Sequence, residues 1–204
     1  MTRKLADDVA RRRAAALAGH RRDTAAARGF LADPVPAVRA TALGALARAG
    51  GLETADLVAG LADPAPAVRA RAAELCAPVR GDRPPPLAPA LSDPDPGVVE
   101  AAAWASGERQ PPEPGAAAAL VPVATGHEDP LCREAAVAAL GAIGDPAGLP
   151  AILAAATDRP AVRRRAVLAL APFDGPEVDA AIERAREDRD WQVRQAAEDV
   201  GRRD

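Results

Sequence analysis

One unit recurs along the chain and leaves little choice of architecture. Its clearest copy is Asp33-Pro34-Val35-Pro36-Ala37-Val38-Arg39-Ala40-Thr41-Ala42-Leu43-Gly44-Ala45-Leu46. Aligned on the Val-Arg step, the copies are anchored at Val38, Val68, Val98, Cys132, Val162 and Val193, with spacings of 30, 30, 34, 30 and 31 residues. A period of that size marks one supersecondary unit stacked on its neighbours, with the core distributed along the chain. Four positions after each anchor stands alanine: Ala42, Ala72, Ala102, Ala136, Ala166 and Ala197. So small a side chain lets neighbouring helices approach closely. Eight positions after the anchor come Leu46, Cys76, Ser106, Leu140, Leu170 and Gly201, mostly apolar and two turns along the same helical face.

The punctuation sets the elements. Before each anchor helix stands Asp33-Pro34, Asp63-Pro64, Asp93-Pro94, Asp129-Pro130, Asp158-Arg159-Pro160 or Asp188-Arg189-Asp190, read as a capping aspartate with proline in the first turn. Upstream lie shorter apolar segments, the first helices of each pair: Thr24 to Leu31, Thr54 to Leu61, Pro84 to Leu91, Ala116 to Ala124, Leu149 to Ala156 and Val178 to Ala185. Glycines in the links, at Gly50-Gly51, Gly81, Gly144 and Gly175, suit helix ends in a left-handed conformation. Arg3 to Leu17 has no partner and reads as a solitary N-terminal capping helix. At the other end Glu198 and Asp199 replace the Leu43 and Gly44 of the first copy, giving a polar closing face. Thirteen helices are expected in one domain over 1–204: a basic cap at 1–22 and six pairs over 23–204, irregular at 80–115.

Composition agrees with this reading. Hydrophobic residues make up 49% of the chain but aromatics only 2%, so the apolar mass is the Ala, Leu and Val of close-packed helices. A formal charge of −3 argues against a dedicated nucleic-acid binder. Charge is unevenly spread, with eight basic and three acidic residues in the first thirty and twelve against seventeen over 101–204. The N-terminus lacks an apolar signal-peptide core, and no apolar run reaches the roughly 18 residues of a membrane span, so a cytoplasmic protein is expected. Cys76 stands where other copies have Leu and Cys132 where they have Val. Both read as small buried hydrophobes, with neither a disulfide framework nor metal-ligand spacing.

These residues resemble the HEAT repeat family, in particular its short bacterial type related to the HEAT-like repeats of phycobilisome lyases. The resemblance runs from about Thr24 to Arg202 and rests on Asp-Pro, then Val-Arg, then Ala-Ala or Ala-Leu, then Leu-Gly. It implies an all-α, right-handed superhelical solenoid whose second helices line a concave surface used for protein contacts. It also implies a structural ladder between neighbouring repeats, formed by Asp33, Asp63, Asp93 and Asp188 with Arg39, Arg69, Arg133, Arg163 and Arg194.

Function is sought where the unit fails to copy itself. The third repeat carries Val99 for Arg and Ser106 for Leu, its first helix is crowded by Pro84, Pro85, Pro86 and Pro89, and Pro111, Pro112 and Pro114 interrupt the next link. Trp104 fills a position that elsewhere holds Gly44, Glu74, Ala138, Leu168 or Asp199, so variable a slot that it reads as surface. It either folds over the proline-rich link or anchors a partner, with Glu100 four residues earlier on the same face. Trp191 is expected to pack over the start of the last helix. Of the clusters Arg69 with Arg71 and Arg163-Arg164-Arg165, the ladder takes one arginine each, and the remaining Arg71, Arg164 and Arg165 would suit an acidic protein segment. A carboxylate beside a tryptophan is also similar, in architecture alone, to the alkylpurine DNA glycosylases built on HEAT-like repeats. No phosphate loop, nucleophile elbow or metal motif stands in the sequence. The expectation is a monomeric, non-enzymatic scaffold for a protein or peptide, without cofactor, metal, membrane or nucleic acid. The alternative is a nucleic-acid-binding or glycosylase-like module.

Overall fold

The computed structural model of the chain describes residues 2–77 and 84–202, which leaves the Gly81 link outside the described residues. The described residues form twelve α-helices and two short 3-10 turns, and the chain divides into two compact units, Met1–Pro86 and Leu87–Asp204.

The first unit holds α1 (Thr2–His20), α2 (Thr24–Gly29), α3 (Pro36–Ala49), α4 (Thr54–Leu61) and α5 (Pro66–Leu75). Helix α3 packs between α1 and α5, while α2 and α4 lie against α3 and α5. The second unit holds α6 (Pro96–Glu108), α7 (Ala116–Gly126), α8 (Pro130–Ile143), α9 (Leu149–Ala155), α10 (Pro160–Ala169), α11 (Pro176–Arg186) and α12 (Trp191–Gly201). Here α6, α8, α10 and α12 pack in that order as one layer, with α7, α9 and α11 behind them. Every anchor is buried and all six +4 alanines are wholly so, which confirms the helix-on-helix contact read from them.

Twelve helices form rather than thirteen because the first element of the third repeat is only the 3-10 turn Ala88–Ser92. Prolines lack the N–H that each step of an α-helix needs, and four of them occupy positions 84–89. The link that follows is fastened instead by side chains. The buried Arg109 donates from Nη1 to Glu113 Oε2 at 2.7 Å, and the same oxygen accepts the Leu87 N–H at 3.1 Å.

Asp129-Pro130 acts as expected, cap then first-turn proline, and Pro160 opens its helix, but the Asp-Pro steps at 33, 63 and 93 act differently. The N1 prolines are Pro36, Pro66, Pro96, Pro130 and Pro160, and Asp33, Asp63, Asp93 and Asp188 sit before the caps. Each of these four carboxylates accepts the backbone N–H two residues on, at 2.8, 2.8, 2.9 and 2.8 Å, folding a turn ahead of the helix. The true side-chain caps are Asp95, Asp129 and Asp190.

Placed there, the aspartates meet the previous repeat. Arg39 forks onto Asp63 at 2.8 and 2.7 Å, Arg133 onto Asp158 at 2.6 and 2.8 Å, and Arg163 onto Asp188 at 2.8 and 2.7 Å. Each arginine also donates to a carbonyl of its own turn, Asp33, His127 and Asp158 respectively. Arg69 and Arg194 make that second contact, to the Asp63 and Asp188 carbonyls. Asp158 was expected only as a start signal and proves a ladder acceptor. Fork-to-fork pairs of this kind fix geometry as well as energy.

One rung is written differently. Where Asp precedes the first, second, third and sixth anchors by five and the fifth by four, the fourth repeat has His127, whose Nδ1 accepts the Asp129 N–H at 3.1 Å. The arginine station of the repeat before it is the buried Val99. Both charges are lost together, which avoids leaving one half-buried ion without a partner.

Helix α1 also departs from expectation. It carries the unit itself, with Ala10 as anchor and Arg11 donating from Nε to Asp33 Oδ2 at 2.8 Å as the ladder's first rung. A Cβ on Gly19 would lie 2.7 Å from Ala45 Cα, just as one on Gly107 would lie 2.8 Å from Ala139 Cα and one on Gly141 2.6 Å from Ala169 Cα. All three glycines stand nine residues after an anchor, so α1 packs as a second helix in register, without a first helix among the described residues.

Candidate functional site

Along α6 three exposed side chains follow at intervals of four: Glu100, Trp104 and Glu108. Four residues is one helical turn, so they form a single stripe, and the stripe faces α8 across a groove of about 620 Å3. The floor is methyl groups, chiefly Ala135, Ala138, Ala139 and Ala142 of α8. The far wall carries Leu131, Glu134 and Arg165, the last from α10. A second hollow of about 350 Å3 shares Ala138, Ala142 and Arg165 and extends the groove toward Leu168 and Pro172.

The groove opens at this point because of a deviation in the repeat. Three residues after the anchor, Arg71 lies over Gly44 of the preceding repeat: a Cβ on that glycine would meet Arg71 Nη2 at 2.7 Å. Arg165 holds the same station in the fifth repeat, but the fourth has only the methyl of Ala135 there, which leaves the indole it faces half exposed. Trp104 is accordingly 48% exposed and Leu131 55% exposed.

Charge in the groove is mainly negative. Arg165 Nη2 lies 3.3 Å from Glu134 Oε1, a pair that neutralises itself. Glu100 and Glu108 have no side-chain hydrogen bond or ion pair among the described residues. Buried under the α6 start, Cys132 donates from Sγ to the Pro96 carbonyl at 3.2 Å. Burial, with Asp129 and Glu100 nearby, pushes its thiol up to about 11, so it stays protonated and acts as the small hydrophobe its position suggested.

Of the residues singled out in the sequence, the structure brings Trp104, Glu100 and Arg165 to one groove. Arg164, the next residue on α10 and so about 100° round the helix from Arg165, does not line it. Arg71 belongs to the first unit, where it pairs with Glu74 at 2.7 Å. Glu108, Leu131 and Glu134 were missed, although Glu108 stands four after Trp104 as Glu100 stands four before. Trp191 does not pack over its helix start: it is 65% exposed at the first position of α12. Among the described residues no three His, Cys, Asp or Glu side chains converge as a metal set, and no helix is long and apolar enough to cross a membrane. The lining groups can hold a ligand by charge and apolar contact.

The profile of the HEAT repeat family matches residues 54–125 and 117–200. No curated protein sequence matches the chain. Among solved structures, Escherichia coli YibA superposes with a TM-score of 0.63 at 18% identity, over 83% of this chain and 66% of YibA, so the chain spans just under two thirds of that relative. A designed armadillo repeat protein in complex with a (KR)4 peptide superposes at 0.62 with 17% identity, over 85% of this chain and 96% of the design. An engineered protein superposes at 0.60 with 19% identity, over 87% and 94%. At these identities the likeness is one of fold, that of helical repeat solenoids.

Proposed function

The chain belongs to the HEAT repeat family, and on that premise we propose that it is a non-enzymatic scaffold or adaptor holding a protein or peptide against the second-helix face formed by α6, α8 and α10. The observation that carries this reading is the half-exposed Trp104 standing over an alanine-floored groove, with exposed Leu131 opposite. Large apolar side chains left in water at the centre of a concavity, ringed by charge, are the usual anatomy of a protein contact. The alternative of a nucleic-acid module finds no support in the groove, where Glu100, Glu108 and Glu134 would repel phosphate.

A photo-crosslinking residue placed at Trp104, at Leu131 or at the exposed Ala180 of α11 tests the face directly in cells of the source organism. The same discrete adduct should form from positions 104 and 131 and not from 180. Adducts from 180 alone would move the contact to the first-helix side and remove the reading.

A further inference from the structure

We propose that the Glu100-Trp104-Glu108 stripe is a binding subsite for cationic side chains, and that the partner of the groove is an extended peptide segment with Arg or Lys at alternate positions. The inference rests on the scaffold reading and names the chemistry of its ligand.

Three observations converge on it. The indole of Trp104 is half exposed beside the groove, and a guanidinium or ammonium is attracted to the face of such a ring by its quadrupole. Glu100 and Glu108 flank it one turn away on either side, and neither is engaged by a cation among the described residues, whereas the wall carboxylate of Glu134 already has Arg165. The spacing also fits. Helix residues four apart are separated by a rise of about 6.0 Å, and alternate side chains of an extended strand, which point the same way, are about 6.6 Å apart. A strand lying along α6 therefore presents one alternate side chain to each member of the stripe. A cation at the centre meets the indole and reaches a carboxylate, and its neighbours reach the outer two. The intervening side chains turn away from α6. An acidic segment, which the loose arginines of the sequence suggested, would meet two unpaired carboxylates here.

The experiment uses the full chain with Trp191→Phe, so that Trp104 is the only indole, and three octapeptides in which Arg, norleucine or Glu alternates with alanine. The arginine peptide should shift Trp104 fluorescence saturably, and its binding should weaken steeply between about 0.05 and 0.5 M salt. By peptide anisotropy, Trp104→Ala and the double variant Glu100→Gln/Glu108→Gln should each weaken it about tenfold. Both variants change exposed positions, and circular dichroism confirms that they fold. Equal affinity in wild type and variants would show attraction to the net negative chain alone and overturn the proposal. A norleucine or Glu peptide that moves Trp104 better than the arginine one overturns it too, while leaving the groove as a peptide site. If none of the three perturbs Trp104 and crosslinking from 104 yields nothing, the scaffold reading falls with it.

Discussion

At the scale of single residues the ladder carboxylates make the clearest statement about stability. Asp63, Asp158 and Asp188 are held below the ordinary carboxylate range, first by the hydrogen bonds from Arg39, Arg133 and Arg163, against the opposing cost of burial. The folded state thus takes up protons less readily than the unfolded chain, so the stabilisation is complete above the unfolded carboxylate range and drains away as pH falls below about 4. Asp63→Asn keeps an oxygen for the Ala65 N–H but loses the charge opposite Arg39, and should cost about 2 kcal/mol near neutrality. Because the variant has nothing left to protonate there, its gap to wild type should narrow as pH drops from about 6 to 3. Urea melts across that range measure it, and a constant gap would show that the pair does not contribute to acid sensitivity. The ladder was legible through resemblance to a family; its members Arg11 and Asp158 were not. Arg11 hides in a helix that has Ala10 where the other copies have Val or Cys and lacks the Asp start signal before it, and Asp158 stands one residue off register behind Thr157. At the groove, the sequence exposed Trp104 by its oddity, but Leu131 and Glu134 belong to another helix and became neighbours only through packing.

At the scale of elements, the contact between second helices depends on the absence of side chains. A methyl on Gly141 would lie 2.6 Å from both Cα and Cβ of Ala169, so α8 and α10 would have to move apart. Gly141→Ala should therefore destabilise by about 1 to 3 kcal/mol despite the better helix propensity of alanine. Gly44→Ala makes the contrast, since the atom in its way is the Nη2 end of Arg71, half exposed and able to swing aside. It should be neutral or stabilising by up to about 1 kcal/mol. Thermal melts of the two variants, moving in the same direction, would show that helix approach is not what the glycine serves. The rewritten rung offers a second comparison. His127→Asp alone introduces a carboxylate opposite Val99, and Val99→Arg alone puts a charge in a buried place. Each should destabilise, yet the double variant should recover about 1 to 2 kcal/mol relative to their sum. A double-mutant cycle that closes additively would place the two stations out of reach of each other. Helix positions were readable because small and apolar residues recur at fixed steps. The 3-10 turn at Ala88–Ser92 was not, since the prolines signal the loss of a helix without stating what replaces it.

At the scale of the whole molecule, the stacking of like elements makes stability local. Within each unit the second helices touch their neighbours in the stack, and the two compact units carry separate buried sets, such as Leu43 with Val68 and Ala72 in the first and Val167 with Val193 and Ala197 in the second. In such arrays stability is a sum of repeat and nearest-neighbour terms, so a core defect should be felt most where it is made. Leu46 and Leu140 occupy the same station of the unit, eight after the anchor, and both are fully buried. Either leucine cut to alanine leaves a cavity worth about 2 to 5 kcal/mol. Native-state hydrogen exchange distinguishes the consequences. Leu140→Ala should speed exchange through α6, α8 and α10 while α3 keeps its protection, and Leu46→Ala should do the reverse. Equal loss of protection in α3 and α8 from either change would mean that one cooperative transition spans 2–202, and the expected localisation would be wrong. The same localisation bears on the groove, which lies wholly in the second unit. Damage at Leu46 should leave capture at Trp104 intact, whereas damage at Leu140, below the groove's alanine floor, should weaken it before the first unit unfolds.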